Sequence, residues 1–177
     1  MEAETIHFEK YIRNIPDFPK EGIQFKDITT LLKEGDIFAS AVDFMYDPFR
    51  HKEITKVVGI EARGFIFASA MAYKLNVGAI PIRKPGKLPA ETISEEYELE
   101  YGTDSVEMHS DAIGKEDKVL IIDDLLATGG TAAAALRLVE RTRAEIVGFS
   151  FLIELTELKG RMKLGNNEIY SLIKYDI

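Results

Sequence analysis

The sequence predicts an α/β protein with a mainly parallel sheet flanked by helices. Short apolar segments that resemble strands alternate along the chain with longer segments of helical periodicity. The strand-like segments are apolar at nearly every position, which is typical of strands buried on both faces. Repeated strand–helix–strand order with such strands favours a parallel sheet covered by helices on both sides.

The first half of the chain supplies three of these elements. A helix is predicted over 36–47 from one apolar face and a terminating proline: Ile37, Ala41, Phe44, Met45 and Pro48. A buried strand is predicted over 56–60. The following segment, 64–75, is too apolar for a surface helix, so we expect it to pack against the sheet.

The second half continues the alternation. Strands are predicted over 77–82, 118–122, 145–153 and 169–175, and a helix over 132–143. The periodicity of that helix gives it an inward and an outward face. The inward residues are Ala132, Ala135, Leu136 and Val139, and the outward residues are Arg137, Glu140 and Arg141.

Two segments interrupt this order within what we expect to be a single domain, 1–177. Residues 13–35 are rich in proline and glycine, so we predict an irregular N-terminal cap over 1–35. Residues 83–102 form a long polar segment, which in a compact domain is usually functional or mobile. Its second half alternates well enough to form a hairpin with 105–109.

Composition narrows the classes of protein. With 177 residues, 46% hydrophobic and 29% charged, the chain is an ordinary globular domain with a sizeable core. It has no cysteine, no apolar run of membrane-spanning length and an acidic N-terminus, so we expect a cytoplasmic protein without membrane contact. The net charge of −8 and the lack of a basic stripe argue against nucleic-acid binding.

The segment "VLIIDDLLATGGT", 119–131, carries the strongest chemical signal. In an open parallel sheet, ligands bind beyond the carboxyl ends of the strands. We expect Asp123 and Asp124 to lie at such an end, where they can accept hydrogen bonds from sugar hydroxyls.

A turn over 127–131 should then lead into the next helix. Its glycines, Gly129 and Gly130, let backbone N–H groups approach an anion, and Thr128 and Thr131 add hydroxyl donors. A phosphate-binding turn beside a pair of carboxylates suits a ribose 5-phosphate. Neither a Walker A sequence nor a G-x-G-x-x-G sequence is present.

This segment closely resembles the phosphoribosyl-pyrophosphate (PRPP) binding motif of type I phosphoribosyltransferases. Four further segments, in the same order, resemble the adenine phosphoribosyltransferase family: 15–29, "IPDFPKEGIQFKDIT"; 59–72, "GIEARGFIFASAMA"; 82–102, "IRKPGKLPAETISEEYELEYG"; and 152–164, "LIELTELKGRMKL". The resemblance implies the type I phosphoribosyltransferase fold, a homodimer, and the Mg²⁺-dependent conversion of adenine and PRPP into AMP and pyrophosphate.

The resemblance also implies roles for individual residues. Asp123 and Asp124 would hold the ribose hydroxyls and would reach Mg²⁺ only through water, with no direct protein ligand to the metal. The 5′-phosphate would lie on Ala127, Thr128, Gly129, Gly130 and Thr131.

The pyrophosphate would meet backbone amides and Arg63 in the "EARG" loop, together with Lys84, Lys87 and Tyr101 from the 83–102 segment. In the family, the glutamate that matches Glu100 lies near N7 of adenine when this segment closes, and it would act as an acid there. Arg63 and Glu100 are therefore the predicted catalytic residues.

Adenine would lie between Phe25 and Leu125. Gln24 and Lys26 flank Phe25, and they differ from the small apolar residue and arginine of many relatives, so the polar contacts to the base stay open.

Three alternatives are open at this point. The first is a phosphoribosyltransferase for another base: the 6-oxopurine enzymes usually have an acidic residue where this chain has Ala127, but xanthine and orotate enzymes can lack it, so the adenine-like segments "FKDIT" and "LEYG" must decide. A PRPP-sensing transcription regulator needs a DNA-binding extension or a basic face. A non-catalytic scaffold has no use for the charged loop. The three histidines, His7, His51 and His109, are isolated and show no metal-ligand spacing.

Overall fold

The protein, described by a computed structural model over residues 6–98 and 102–176, divides into two compact units, 1–44 and 45–177. Glu100 and Tyr101 fall outside the described residues. In the first unit, a 3-10 turn (Phe8–Tyr11) precedes the antiparallel hairpin of β1 (Arg13–Pro16) and β2 (Gln24–Asp27), and α1 (Thr29–Leu32) and the start of α2 (Gly35–Tyr46) follow.

The predicted irregular cap therefore contains regular structure, and cross-strand side-chain pairs account for it. Arg13 Nη2 lies 2.5 Å from Asp27 Oδ2, and Asn14 Nδ2 donates to Gln24 Oε1 over 2.6 Å. Such pairs stabilise a strand pair. They join residues that are distant in sequence, so local periodicity did not indicate them.

The second unit contains the sheet and its connections. Its strands are β3 (Lys56–Ile60), β4 (Gly78–Ile82), β5 (Thr92–Glu98), β6 (Thr103–His109), β7 (Lys118–Leu126), β8 (Glu145–Leu155) and β9 (Ile169–Tyr175). Its helices are α3 (Gly64–Leu75) and α4 (Gly130–Thr142), with 3-10 turns at Asp47–Phe49, Thr156–Leu158 and Gly160–Leu164.

The main sheet has the strand order β4-β3-β7-β8-β9, and all its neighbouring pairs are parallel. Its strands are buried on both faces, because Val119, Leu120, Ile121 and Ile122 are each 0% exposed and successive side chains point to opposite sides. The predicted α/β fold with a mainly parallel sheet is confirmed.

Different elements cover the two faces. Val119 and Ile121 belong to an apolar cluster with α4 and the β5–β6 hairpin. The alternation in the second half of 83–102 predicted this hairpin with 105–109 as its partner. Helix α3 packs against β3, β4 and β7, and its Phe67 and Met71 are buried outside that cluster.

Helix α4 is buried more widely than its periodicity indicated. The predicted inward and outward residues lie as expected, but Ala133, Ala134 and Leu138 are buried as well. The hairpin covers this second side: Arg137 Nη2 donates to Glu96 O over 2.7 Å. Among the described residues, no helix is long and apolar enough to span a membrane.

Candidate active site

The carboxyl ends of β3, β4 and β7 meet along one edge of the sheet, where open parallel sheets bind their ligands. The loops that leave these strands border a cavity of about 260 Å³. It is lined by Glu61, Ala62, Arg63, Lys84, Tyr97, Asp123, Asp124, Leu125, Leu126, Ala127, Thr128, Gly129, Gly130, Thr131 and Ala132. The structure thus brings most of the predicted site residues of the second unit together.

The acidic pair lies inside β7, and the prediction that the strand ends before it was wrong. Pairing with β3 does stop at Ile122, opposite Gly59. On the other side, β8 is long enough to continue the ladder, and it pairs with β7 as far as Leu126. Asp123 and Asp124 therefore lie where one neighbouring strand has ended and the other continues, which opens β7 toward the cavity.

The two carboxylates are held close together with little water. Asp124 is only 6% exposed, and its backbone N–H donates to Asp123 Oδ1 over 2.9 Å. Burial raises the pKa of both groups, and the neighbouring charge of Asp124 raises the pKa of Asp123 further. The pair therefore favours hydroxyl donors or cations beside it.

Arg63 supplies one such cation. Its Nε lies 2.8 Å from Asp124 Oδ2 and lowers the pKa of that carboxyl against the effect of burial. The Arg63–Asp124 pair does not have hydrogen-bond geometry, so within the described residues the buried Asp124 Oδ2 has a charge partner but no hydrogen-bond donor. A buried oxygen of this kind is costly to leave without a donor, and a sugar hydroxyl would supply one.

The predicted phosphate turn leads directly into α4. Gly129 has a left-handed conformation, with φ of 77°, and α4 begins at Gly130, two residues before the predicted start. Glycine adopts this conformation without strain. The turn therefore presents the N-terminus of a long helix to the cavity, which favours an anion there.

The two lysines of the 83–102 segment have different partners and lie at different distances from the cavity. Lys84 Nζ donates to Tyr97 OH over 2.8 Å and to the Asp104 carboxylate, beside the cavity. Lys87 is not among the lining residues, and its Nζ lies 3.0 Å from Glu61 Oε1. Only Lys84 of the two therefore reaches the site directly.

Glu61 joins this segment to the loop after β3. Its carboxylate accepts hydrogen bonds from the Lys84 backbone N–H at 2.8 Å and from Arg83 at 3.3 Å, besides Lys87. Burial alone would raise the pKa of Glu61, but these bonds lower it to about 2. The Glu61–Ala62 peptide is cis, a geometry that sequence alone did not establish.

Sequence reasoning missed Glu61, Tyr97 and Asp104 as individual site residues. Glu61 was visible only as the first letter of "EARG", and its partners lie more than twenty residues further along the chain. No local pattern predicts contacts of this range.

The predicted base-binding residues are divided between the two units. Phe25 lies in the first unit, half-buried, with its ring edge-on to Phe18 and 5.1 Å between centroids. In the same hairpin, Lys26 Nζ donates to Asn14 Oδ1, and Asn14 donates to Gln24. Leu125 lines the cavity of the second unit. The adenine sandwich stays a prediction, as do the roles of Glu100 and Tyr101.

The described residues contain no group of three or more His, Cys, Asp or Glu side chains that could hold a metal ion. Two neighbouring carboxylates, one of them with a buried oxygen that lacks a hydrogen-bond donor, nevertheless suit Mg²⁺, which usually keeps several waters and takes one or two carboxylates plus substrate phosphates.

Comparison with known proteins identifies the family to which a chain with this site belongs. Residues 27–166 match the phosphoribosyl transferase domain family. The adenine phosphoribosyltransferase of Desulfitobacterium hafniense is 54% identical over 171 residues, which cover 97% of this chain and 99% of that protein.

Solved structures of adenine phosphoribosyltransferases are also similar to this chain. The adenine phosphoribosyltransferase of Thermoanaerobacter pseudethanolicus superposes with a TM-score of 0.92 at 50% identity, covering 95% of this chain and 98% of the other. The enzyme of Saccharomyces cerevisiae, solved with an imino-altritol bisphosphate and adenine, gives a TM-score of 0.88 at 40% identity over 93% and 96%.

The match over residues 27–166, together with the parallel sheet, makes this chain a phosphoribosyltransferase. Within that class, the chain belongs to the adenine phosphoribosyltransferase family, as the sequence resemblance predicted.

Proposed function

We propose that the chain transfers the 5-phosphoribosyl group of PRPP to N9 of adenine in purine salvage, giving AMP and pyrophosphate. The observation that supports this most directly is the single cavity that contains both the acidic pair and the turn at the start of α4. PRPP carries a 5′-phosphate and a ribose diol on one sugar, and this cavity offers a group for each.

The two ends of PRPP have separate partners in this proposal. Asp123 and Asp124 accept hydrogen bonds from the ribose hydroxyls, and the turn 127–131 receives the 5′-phosphate at the helix N-terminus. Arg63 and Lys84 face the pyrophosphate, with Lys87 and Tyr101 as further contacts. The cations line the cavity beside the acidic pair, so the charges of the site complement those of PRPP.

Adenine binds between Phe25 and Leu125 in this proposal, with Gln24 and Lys26 near its polar edge. The hydrogen bonds that join these two side chains to Asn14 support a shared polar network. Asn14 was not predicted, and its amide can both donate and accept.

The reaction is a displacement at C1 of the ribose, with inversion. Positive charge develops on the sugar ring and negative charge on the leaving pyrophosphate. The carboxylates stabilise the first, and Arg63 and Lys84 stabilise the second. Glu100 donates a hydrogen bond at N7 as N9 loses its proton. Asp123 and Asp124 would hold Mg²⁺ through its water ligands, and the ion would supply positive charge that offsets the charge of pyrophosphate.

We further propose a homodimeric, cytoplasmic protein. Tyr73 of α3 is 90% exposed and Ile66, two turns earlier, is 40% exposed, beside the edge strand β4. Two exposed apolar side chains on one helix support association, because apolar surface is stabilised when a partner covers it. Light scattering of the wild type and of Tyr73→Glu tests the assembly, and a monomeric wild type at working concentrations would exclude it.

Incubation with PRPP, Mg²⁺ and each purine base tests the activity. We expect AMP from adenine and little product from hypoxanthine, guanine or xanthine, because Ala127 replaces the acid typical of 6-oxopurine enzymes. A pocket that hydrogen-bonds the exocyclic amine leaves polar groups unpaired against a carbonyl. Comparable kcat/KM on hypoxanthine would overturn the choice of base.

A further inference from the structure

The segment "ELKGR", 157–161, has no role in the site as described, yet its backbone touches the phosphate turn. A Cβ built on Gly160 would lie 3.0 Å from Gly129 N and would overlap with Ala127 O. Conversely, a Cβ on Gly129 would lie 2.9 Å from Gly160 Cα and would overlap with Gly160 O. The two glycines therefore place two backbones in direct contact, and the Leu126 side chain, with Cδ1 3.0 Å from a Cβ on Gly160, packs beside them.

This contact fixes the orientation of a peptide in the turn. Ala127 O faces Gly160, and the C=O and N–H of a trans peptide point in opposite directions. The Thr128 N–H therefore points away from Gly160. A displacement of Gly160 is expected to turn this donor, because the two backbones are in direct contact.

A buried ion pair anchors Gly160 in place. Arg161, its neighbour, donates to Glu154 in a bidentate manner, from Nε to Oε1 at 2.6 Å and from Nη2 to Oε2 at 2.7 Å. Glu154 is 3% exposed. Burial would raise the pKa of Glu154, but Arg161 holds it below its usual value. The carboxylate therefore stays ionised and the pair stays intact.

The same arginine reaches the neighbouring strand. Its Nη1 donates to Ile169 O over 2.9 Å, and its Nη2 lies 3.2 Å from Ser171 Oγ. Glu154 itself stands opposite Leu126, the last residue of β7 before the turn. The anchor and the turn are therefore adjacent in the sheet, and Gly160 lies between them.

We propose that Gly160 is a positioning residue for the 5′-phosphate, and that the Glu154–Arg161 pair holds it against the turn. This rests on the proposed binding of PRPP at 127–131. Preorganised backbone donors stabilise an anion without rearrangement, and small misplacements of such groups weaken binding strongly. The three atoms nearest to a Cβ on Gly160 belong to Ala127, Gly129 and Leu126, and none of them belongs to the residues proposed to face pyrophosphate.

The test compares two ligands that report on opposite ends of the site. Calorimetric titrations with ribose 5-phosphate, and with pyrophosphate in the presence of Mg²⁺, are made on the wild type and on Gly160→Ala. We expect the Kd of ribose 5-phosphate to rise about ten- to a hundredfold, and the Kd of pyrophosphate to change less than about twofold. Gly35→Ala, where an added Cβ meets nothing within 4 Å, is the matched control.

Two further variants keep the test informative if Gly160→Ala does not fold. Glu154→Gln keeps the shape of the anchor and removes its charge, and Arg161→Lys keeps the charge and removes the bidentate contact. Each should weaken ribose 5-phosphate selectively. Equal losses for both ligands, or no loss, would overturn the positioning role. Failure of the wild type to bind ribose 5-phosphate would instead overturn the proposed function.

Discussion

Arg63 Nε lies 2.8 Å from Asp124 Oδ2, so one charge pair joins the loop after β3 to the interior of β7. The proposed partners of pyrophosphate and of ribose are thereby in contact before any substrate binds. In the proposed reaction the bond that breaks links those two parts of PRPP, which would place this charge pair beside that bond.

Removal of either charge of the acidic pair should reduce activity. Asp124→Asn and Asp123→Asn keep the size of the side chain and lose the carboxylate that faces the ribose. A charge-assisted hydrogen bond contributes about 1.5–3 kcal/mol, so we expect kcat/KM for PRPP to fall about ten- to a hundredfold. Steady-state kinetics measure this, with the exposed Asp111→Asn as control. Unchanged kinetics in both variants would show that the acidic pair has no role in binding PRPP.

The acidic pair should also cost stability in the free protein. Because burial and Asp124 raise the pKa of Asp123, the folded state resists its ionisation, and stability falls as pH rises from about 4. Asp123→Asn should therefore melt higher than the wild type at pH 7, by about 2–4 °C for each kcal/mol regained. The difference should shrink toward pH 4. Calorimetry without ligand decides this, and a lower Tm at pH 7 would contradict it.

Glu61 should behave in the opposite way with pH. Its pKa is lowered to about 2 from 4.5, so its stabilisation is present above pH 4.5 and is lost as pH falls toward 2. Glu61→Gln should lower the free energy of unfolding at pH 7 by about 1.5–3 kcal/mol, because three cationic or N–H partners lose a carboxylate. The variant and the wild type should converge in acid.

Denaturant titration at several pH values measures this effect. Glu53→Gln is a suitable control, because that glutamate pairs with Lys118 on the surface, where ion pairs contribute little. If both variants lost equal stability, the contacts of Glu61 with Arg83, Lys84 and Lys87 would contribute no more than a surface ion pair.

The two lysines of the 83–102 segment should differ in effect. Lys84 lines the cavity, whereas Lys87 is half-exposed and paired with Glu61. Lys84→Met should raise the inhibition constant of pyrophosphate about ten- to a hundredfold, and Lys87→Met less than about fivefold. Product-inhibition kinetics distinguish them. Equal effects would indicate that both lysines reach the ligand.

The role of Glu100, which lies beyond the described residues, is open to a direct test. Glu100→Gln should lose little, because an amide still donates a hydrogen bond. Glu100→Leu should lower kcat about 10²–10⁴-fold with PRPP affinity nearly unchanged. The exposed Glu96→Leu serves as control. Full turnover by Glu100→Leu would remove the acid from the mechanism.

Local patterns predicted the sheet and much of the site. The apolar strand segments predicted the α/β fold. The segment "VLIIDDLLATGGT" indicated the acidic pair and the proposed phosphate turn, because these residues are neighbours in sequence as well as in space. The extension of β7 to Leu126 was not predictable, since it depends on the length of β8.

Long-range pairs explain the rest. Asp104 beside Lys84, Glu61 beside Lys87 and Gly160 beside Gly129 each join segments that only the fold brings together. No periodicity within one element records such a partner. The chain carries many charged residues, so composition alone cannot select the pairs that matter.

The enclosure of α4 limits how this protein can evolve. Successive residues of a helix point about 100° apart, so the run Ala132 to Ala135 covers the whole circumference, and each of the four is at most 6% exposed. The turn proposed to bind phosphate is therefore followed by four buried residues, none of which can be enlarged without disturbing the packing. A change of base preference in this chain would therefore have to come from side chains outside this run, because any enlargement of Ala132 to Ala135 would meet packed neighbours.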